Sequence, residues 1–561
     1  MAKHHQSGST VPDWHQRPSG FKIVVAMLAA LAVLAASCGS SGKSTTAGTT
    51  PDQAVGTDEG TPVDGGTMVI GIGAETKGWN PSLGQWADTG SLVGSTVIEP
   101  LATQGEDKGA KPYLADSWIA NPDFTAWTIK LHPGVKFHDG SDFNAAAAKK
   151  SIEFTVTGPL ASLALGPMFD TVEVVDPLTI TIHLKQPWAS FPAAYLQGGS
   201  AYMMAPAMID AADHGVAHPI GTGPFVFDSW TPDATFKVHK NPTYWQAGLP
   251  HLDSLEFKVI PDETARADAL RSGDVNMIYT TSAESANRLS ADYTVTKDWT
   301  SENALIMTST SPQFRGKPNA LNNIHARKAL AYATDTGTIA ASIGDGVQIP
   351  TSPWSPPSPW SMPKDQNGAL AFNLDQAKQE VASYLSDTGA TTLDVTLSGL
   401  PNIDDTKVLQ QVAAQWKAAG INVTIDSLEQ TAYITKIALG DYQAAFFRNY
   451  GYADPDSDFV FFSSSTAKGA GSISINFTQF TNAQMDEDLN TGRTSGYPDI
   501  RKKAYDDLVH QINDSATNIW LYNTPYSFVA DSTVHGLSTA QKVSFGNFMP
   551  KTWQAQLWRS S

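Results

Sequence analysis

The sequence of 561 residues is poor in cysteine, in positive charge and in long apolar segments. Its single cysteine excludes an internal disulfide framework, a cysteine-based zinc ribbon and a CxxC redox motif. Lysine and arginine number 37 against 55 aspartate and glutamate residues, which gives a formal net charge of −18. Such an acidic chain is poorly suited to nucleic acid, because proteins bind nucleic acid mostly through basic contacts to phosphate. After the N-terminal region no stretch approaches about 18 apolar residues, so we do not expect the body to span a bilayer.

The motifs of common catalytic sites are also missing. The sequence has no G-x-S-x-G elbow, no G-x-x-x-x-G-K-[ST] phosphate loop and no H-E-x-x-H zinc motif. The stretch Asp454-Pro-Asp456-Ser-Asp458 resembles the start of a calcium loop, but Phe459 and Ser465 replace the glycine and glutamate that such loops require. We therefore predict no catalytic residue, no metal site and no cofactor.

The N-terminal region has the pattern of an exported lipoprotein. A few basic residues precede an apolar run from Ile23 to Ala36, which is too short to cross a bilayer and is typical of a signal peptide. The run ends in A-A-S-C-G, which resembles a bacterial lipobox with Ala35 in the usual place of leucine; the alternative is a plain secretory signal. We predict a signal peptide over 1–37, lipidation at Cys38 and a flexible linker over 38–65. We therefore expect the protein to be anchored at the outer face of a bacterial cell membrane, in the periplasmic space.

The rest of the chain alternates strand and helix patterns, most clearly over residues 392–447. Apolar residues alternate with polar ones over 393–397 and again over 421–425, and a stripe with helical spacing between them ends at Gly420. A second helix pattern ends at Gly440, before the apolar stretch 442–447. The order β-α-β-α-β predicts a largely parallel sheet covered by helices, which is an α/β fold.

Four passages carry a more specific signal. They run from Pro112 to Gly140, from Ile220 to Asp274, from Ile324 to Asp335 and from Gly440 to Pro455. In order and spacing they resemble the signatures of family 5 of the extracytoplasmic solute-binding proteins of ABC importers. Members of that family bind oligopeptides, dipeptides, nickel complexes and some oligosaccharides. Each passage also has a local explanation, such as tight backbone around the glycines of G-T-G-P, so we predict that most of them determine the fold.

The resemblance implies a two-lobed fold of the type II periplasmic-binding-protein class, with ligand in the cleft between the lobes. Lobe I would comprise 66–97, 217–298 and 524–561, with an extra domain inserted over 98–216, and lobe II would comprise 299–523. Crossovers would lie near 300–307 and 519–525. Solute binding would close the hinge, and the closed form would be presented to an ABC permease with its ATPase subunits. The protein is expected to act as a monomer.

The resemblance also indicates where a ligand would bind. Peptide-binding members hold the α-ammonium with an aspartate three residues before the D/E-P pair, and that position is Gly451 here. The ligand-binding residues that we predict lie in segments facing the cleft in relatives: Trp79, Trp86, Trp354, Trp360, Phe447, Arg448, Tyr450, Tyr452 and Asp454. For each tryptophan, burial in the core is the competing interpretation.

These observations favour the solute-binding component of a peptide importer, with a peptide or peptide-like solute. The alternative is the same fold with a non-peptide solute, such as an oligosaccharide, a glycopeptide or a metal chelate. A lipid-anchored enzyme or adhesion protein is a third hypothesis, for which the sequence offers no motif.

Overall fold

The structure is a computed structural model that describes residues 60–84, 86–158, 161–356, 358–401, 403–449, 453–538 and 552–560. The predicted signal peptide, Cys38 and most of the predicted linker lie outside the described residues. No helix among the described residues is long and apolar enough to cross a membrane.

Strands and helices alternate along most of the described chain. The strands are β1 (Thr67–Ile72), β2 (Ala102–Gln104), β3 (Ala110–Pro112), β4 (Ala115–Ala120), β5 (Ala126–Leu131), β6 (Phe169–Asp176), β7 (Thr179–Leu184), β8 (Phe225–Thr231), β9 (Thr235–Lys240), β10 (Ser254–Val259), β11 (Met277–Thr280), β12 (Thr294–Asp298), β13 (Asn303–Thr308), β14 (Gln313–Phe314), β15 (Lys317–Pro318), β16 (Leu393–Gly399), β17 (Ile421–Ser427), β18 (Ala444–Asn449), β19 (Asn518–Asn523), β20 (Tyr526–Ala530), β21 (Val534–His535) and β22 (Trp558–Arg559). The α-helices are α1 (Asp88–Gly94), α2 (Ala145–Val156), α3 (Ala161–Ala164), α4 (Pro206–Asp210), α5 (Glu263–Ser272), α6 (Ala283–Leu289), α7 (Ile324–Ala333), α8 (Thr336–Ile343), α9 (Leu374–Thr388), α10 (Ile403–Ala418), α11 (Gln430–Ala438), α12 (Phe459–Phe462), α13 (Ala483–Thr494) and α14 (Pro498–Ser515). Short helical turns lie at Pro192–Leu196, Gly199–Ala201, Ala320–Asn322, Pro455–Asp458, Ser464–Thr466 and Gln554–Gln556.

The first large sheet has seven strands in the order β12-β20-β11-β1-β10-β9-β8. Strand β1 is parallel to both neighbours, β10 and β11, whereas the remaining pairs are antiparallel. All seven strands lie within the ranges predicted for lobe I. We call the body built on this sheet lobe I.

The chain between β1 and β8 forms a separate antiparallel sheet in the order β4-β5-β7-β6. Its buried side chains alternate along β5 and β7, as expected for a sheet with one face in the core and one in solvent. This sheet and lobe I share one continuous apolar core. The sheet lies within the range 98–216 predicted for the inserted domain, and we call this region by that name.

The second large sheet has five strands in the order β17-β16-β18-β13-β19. Strand β16 is parallel to β17 and β18, and helices α10 and α11 connect these three strands, which confirms the predicted β-α-β-α-β order. Strand β13 is antiparallel to both β18 and β19. Separate apolar clusters contain alternate side chains of this sheet, as expected when helices and loops cover both faces. We call this body lobe II.

Two short connections join the lobes. Residues 299–302 lead from β12 to β13, and residues 524–525 lead from β19 back to β20. The two connections lie side by side, because the Thr524 amide donates to the Glu302 carbonyl at 2.9 Å. The predicted crossovers, 300–307 and 519–525, overlap these connections but also include most of β13 and β19. The domain boundaries stay a prediction.

A buried carboxylate joins the inserted domain to lobe I. Glu99 is 1% exposed and accepts hydrogen bonds from Thr222 Oγ1 (2.7 Å), Tyr244 Oη (2.6 Å) and Trp245 Nε1 (3.0 Å). Tyr113 of the inserted domain donates to the same carboxylate at 2.7 Å. Tyr113 belongs to the first motif passage, and Thr222, Tyr244 and Trp245 belong to the second, so both passages help to determine the fold here.

The two glycines of G-T-G-P have a steric function. A Cβ on Gly221 would lie 2.7 Å from the Ile98 Cα, and one on Gly223 would lie 2.7 Å from the Val97 carbonyl carbon. Only glycine therefore allows this loop to pack against residues 96–98, directly beside Glu99.

Candidate functional site

The candidate site lies where β18 of lobe II ends beside the two connections. Arg448 is the next-to-last residue of β18, and its Nη1 lies 3.2 Å from Oε1 of Glu302. Glu302 also accepts hydrogen bonds from Thr524 Oγ1 (2.8 Å) and Tyr526 Oη (2.6 Å). One carboxylate thus contacts lobe II, a connection and the first strand after that connection.

Burial and pairing act against each other in this ion pair. Burial raises the pKa of the Glu302 carboxyl above its usual value, and the charge of Arg448 offsets part of that rise. Burial also disfavours the charge on Arg448, but attraction to Glu302 outweighs it and raises the pKa of the guanidinium. Arg448 therefore stays charged at the end of β18.

Arg448 has hydrogen-bonding capacity left over. Its side chain is 15% exposed, and within the part of the chain that the structure describes only Nη1 has an acceptor, which is Glu302. A guanidinium has five N–H donors, and a planar pair of them matches a carboxylate. This predicted ligand-binding residue can thus receive an anionic or carbonyl group while it keeps its internal partner.

The segment after β18 carries three alternate aspartates, and each has different partners. Asp454 accepts two hydrogen bonds from Arg501 Nη2, at 2.7 and 2.8 Å, and one from the Asp456 amide at 3.0 Å. Asp456 pairs with Arg493 Nε at 2.7 Å. Asp458 accepts from Trp354 Nε1 at 2.9 Å and from Asn449 Nδ2 at 3.2 Å. All three are at most 3% exposed, so the predicted ligand residue Asp454 is here an internal ion-pair partner.

The predicted tryptophans fall into two places. Trp79 is 1% exposed in the lobe I core, and its ring centroid lies 4.2 Å from that of Phe236. Trp86 is also buried, and its indole donates to the Gly78 carbonyl at 3.0 Å.

Trp354 and Trp360 lie together in lobe II, each edge-on to the ring of Tyr505. Trp360 is only partly buried, and its ring lies 4.8 Å from the Arg501 guanidinium. Ligand contact stays a prediction for all four.

Phe447 lines a pocket that the sequence did not reveal. The pocket lies on one face of the lobe II sheet and encloses about 370 Å³ of space free of protein atoms, including the part open to solvent. Its walls are mostly apolar: Leu305, Met307, Phe447, Phe461, Phe462 and Phe477, with Arg448, Asn449, Thr478 and Asn518 as the polar members. The apolar run Phe459–Phe462 was the only local signal, and nothing in it indicates contact with β18.

Three positions of the predicted site, Tyr450, Gly451 and Tyr452, lie outside the described residues. Their neighbours show where the chain leaves and returns: β18 ends at Asn449, and the Asp454 turn is held by Arg501. Among the described residues, no cluster of three or more His, Cys, Asp or Glu side chains could hold a metal ion.

Comparison with known proteins gives consistent results for sequence and fold. Residues 109–470 match the model for bacterial extracellular solute-binding proteins, family 5 Middle. The glutathione-binding protein GsiB of Pectobacterium atrosepticum is 30% identical over 374 residues, which cover 64% of this chain and 69% of that protein. GsiB of Escherichia coli (strain K12) is 31% identical over 269 residues, 47% of this chain and only 51% of that relative.

Solved structures show the same fold at lower sequence identity. The oligopeptide-binding protein AppA of Bacillus subtilis, in complex with a nonapeptide, matches with a TM-score of 0.73 at 21% identity, covering 89% of this chain and 100% of AppA. NikA from Brucella suis, in complex with Fe(III)-EDTA, matches with a TM-score of 0.73 at 22% identity, covering 88% of this chain and 100% of NikA. Structures bound to very different solutes thus share this two-lobed architecture.

Proposed function

This chain belongs to family 5 of the bacterial extracellular solute-binding proteins, and we propose that it captures a peptide or peptide-like solute for an ABC importer. The solute binds between the lobes, the lobes close about the two connections, and the closed form delivers the solute to a membrane permease. The observation that carries this proposal is the position of Arg448. This cation lies at the end of β18 in lobe II and is paired with the connection residue Glu302, and among the described residues its other N–H donors have no acceptor.

The chemistry of Arg448 favours a solute rich in carboxylate or carbonyl groups. A peptide has a carboxylate at one end and a carbonyl at every residue, so it suits a guanidinium whose other donors lack an acceptor within the described ranges. GsiB relatives that are about 30% identical are named for glutathione, which is a peptide-like solute with carboxylates. This supports a peptide-like solute more than a neutral oligosaccharide.

Gly451 gives the proposal a sharper form. Peptide-binding relatives of this family have an aspartate there for the α-ammonium, and a buried ammonium without a partner costs several kcal/mol. Asp454 and Asp456 cannot replace that aspartate without leaving Arg501 or Arg493 unpaired. Binding should therefore depend little on a free amine.

The solute is best identified from the protein itself. Full-length protein is purified natively, and the co-purified ligand is released and identified by mass spectrometry. A peptide or glutathione-like molecule supports the proposal. A sugar or a metal chelate would favour the alternative solute classes, and a turnover product would indicate an enzyme.

Calorimetry then tests the contacts, with glutathione and with trialanine in free and N-acetylated forms as probes. We expect the two trialanines to bind within about tenfold of each other, or ~1.4 kcal/mol. Arg448→Met should weaken binding at least tenfold, whereas Arg315→Met, on the surface and paired with Asp426, should not. A hundredfold loss on acetylation would contradict the role proposed for Gly451, and unchanged binding by Arg448→Met would contradict the role of that cation.

We further propose that the protein is held at the outer face of the membrane by a lipid on Cys38. The support is the position of the only cysteine, at the end of the apolar N-terminal run. Cys38→Ser should fold normally but partition into the aqueous phase on detergent extraction. Equal membrane retention of the variant and the parent would refute the lipid anchor.

A further inference from the structure

A second contact between the lobes lies away from the connections. Asp456 of lobe II accepts hydrogen bonds at Oδ2 from two residues of the inserted domain, Trp188 through Nε1 and Ser190 through Oγ (2.6 Å). Its other oxygen pairs with Arg493 Nε of lobe II at 2.7 Å. All four residues are buried, with Asp456, Trp188 and Ser190 at most 3% exposed.

The backbone takes part in the same contact. The amides of Ala189 and Ser190 both donate to the Arg493 carbonyl, at 2.8 and 3.3 Å. The Arg493 guanidinium also lies 3.5 Å from the centroid of the Phe459 ring and 5.6 Å from that of Trp188. Side-chain and main-chain hydrogen bonds thus cross between the bodies at one desolvated point.

These bonds must break if the lobes separate. Glu99 fixes the inserted domain to lobe I, while Asp456 and Arg493 belong to the segment between β18 and β19 of lobe II. Rotation about residues 299–302 and 524–525 would carry Asp456 away from Trp188 and Ser190. The Asp456 carboxylate would then remain paired with Arg493 only, and water would replace Trp188 and Ser190 as its hydrogen-bond donors.

We propose that Trp188, Ser190, Asp456 and Arg493 form an inter-lobe clasp that holds the chain closed even without solute. This inference rests on the proposed function, because it concerns the hinge closure by which the solute is captured. A solute that binds only the closed form is bound more tightly when that form is already populated, and it leaves only after the clasp opens. The clasp thus sets both the closed population and the rate of solute release.

The two inter-lobe amides allow a direct test without any solute. Hydrogen–deuterium exchange is followed in the full chain at the amides of Ala189 and Ser190, in the parent, in Trp188→Phe and in Ser190→Ala. Each variant removes one hydrogen bond to a buried charge, so exchange at these amides should accelerate roughly tenfold to a hundredfold. Exchange in the strands of both large sheets should not change.

Trp416→Phe is the matched control, because the Trp416 indole donates to Thr334 Oγ1 at 2.9 Å within the lobe II core. It should leave exchange at residues 189 and 190 as in the parent. If Trp188→Phe also accelerates exchange in the strands of the two large sheets, the result for the milder variant Ser190→Ala decides whether the clasp exists. Exchange at the two amides that is equal in Ser190→Ala and in the parent, or that is already fast in the parent, overturns the clasp. Since no solute is used, that result leaves the proposed solute class untouched.

Discussion

Asp458 should make the protein less stable as the pH rises from about 4 to about 7. Its side chain is fully buried, and its hydrogen-bond donors among the described residues, Trp354 and Asn449, are both neutral. Burial raises the pKa of this carboxyl to about 7, and the charge of Asp454 adds to the rise. The folded protein therefore holds a proton here at pH values where the unfolded chain, with an ordinary pKa of 3.8, has lost it.

The sign and the size follow from proton linkage. Where the folded state binds more protons than the unfolded state, the free energy of unfolding falls as the pH increases. The loss begins near pH 4, where the unfolded chain ionises, and is complete above the folded pKa. A difference between pKa values of 3.8 and about 7 corresponds to about 4 kcal/mol in total, of which about 3 kcal/mol falls between pH 5 and pH 8.

Asp458→Asn removes this titration and keeps the shape of the side chain. Guanidinium unfolding at pH 5, 6, 7 and 8 gives the free energy of unfolding for the parent and the variant. We expect the variant to gain stability relative to the parent as the pH rises, by about 3 kcal/mol across this range. Asp292→Asn, at an exposed position, controls for removal of a surface charge. Parallel curves for Asp458→Asn and the parent would refute the reasoning.

Two further predictions concern the junction of lobe I with the inserted domain. Glu99→Gln places an amide N–H₂ among four hydrogen-bond donors, so we expect it to lower the free energy of unfolding by about 2–4 kcal/mol in chemical denaturation. Gly221→Ala would force a Cβ against Ile98 and should cost about 3 kcal/mol or prevent folding, whereas Gly337→Ala, whose nearest neighbouring atom is a side-chain oxygen at 3.2 Å, should cost little. Parent-like denaturation midpoints for Glu99→Gln or Gly221→Ala would contradict the structural role given to that residue.

The order of strands and helices could be predicted wherever it depends on the local alternation of apolar and polar residues. The β-α-β-α-β order over 392–447 was correct, because its strands and helices each bury one face and so show their period in the sequence. The antiparallel addition of β13 and β19 to the same sheet was not predictable in this way. These strands come from before residue 309 and after residue 517, and only tertiary packing brings them together.

Side-chain partners were the harder part of the site. The predicted apolar stretch 442–447 includes Phe447, and β18 extends two residues further to include Arg448. The Glu302 partner of Arg448 lies 146 residues away in the sequence, so no local pattern could indicate it. An aromatic residue next to a strand has the same pattern whether it faces a cleft or a core, which is why Trp79 gave no signal of its burial. Glu99 contacts two motif passages but stands in an ordinary apolar stretch of the sequence. It was missed because its four hydrogen-bond donors lie far from it in the sequence.

The three alternate aspartates after β18 lead to a last prediction, because their spacing resembles the start of a calcium loop. In such a loop the carboxylates must be available to the ion. Here Asp454 is bound by Arg501 and Asp456 by Arg493, so a cation could bind only by breaking buried ion pairs, at a cost of about 3–5 kcal/mol each. Millimolar calcium and millimolar EDTA should therefore give the same thermal unfolding midpoint in the full chain. A midpoint several degrees higher with calcium would show that these carboxylates bind the ion, and the partners assigned to Asp454 and Asp456 would then be wrong.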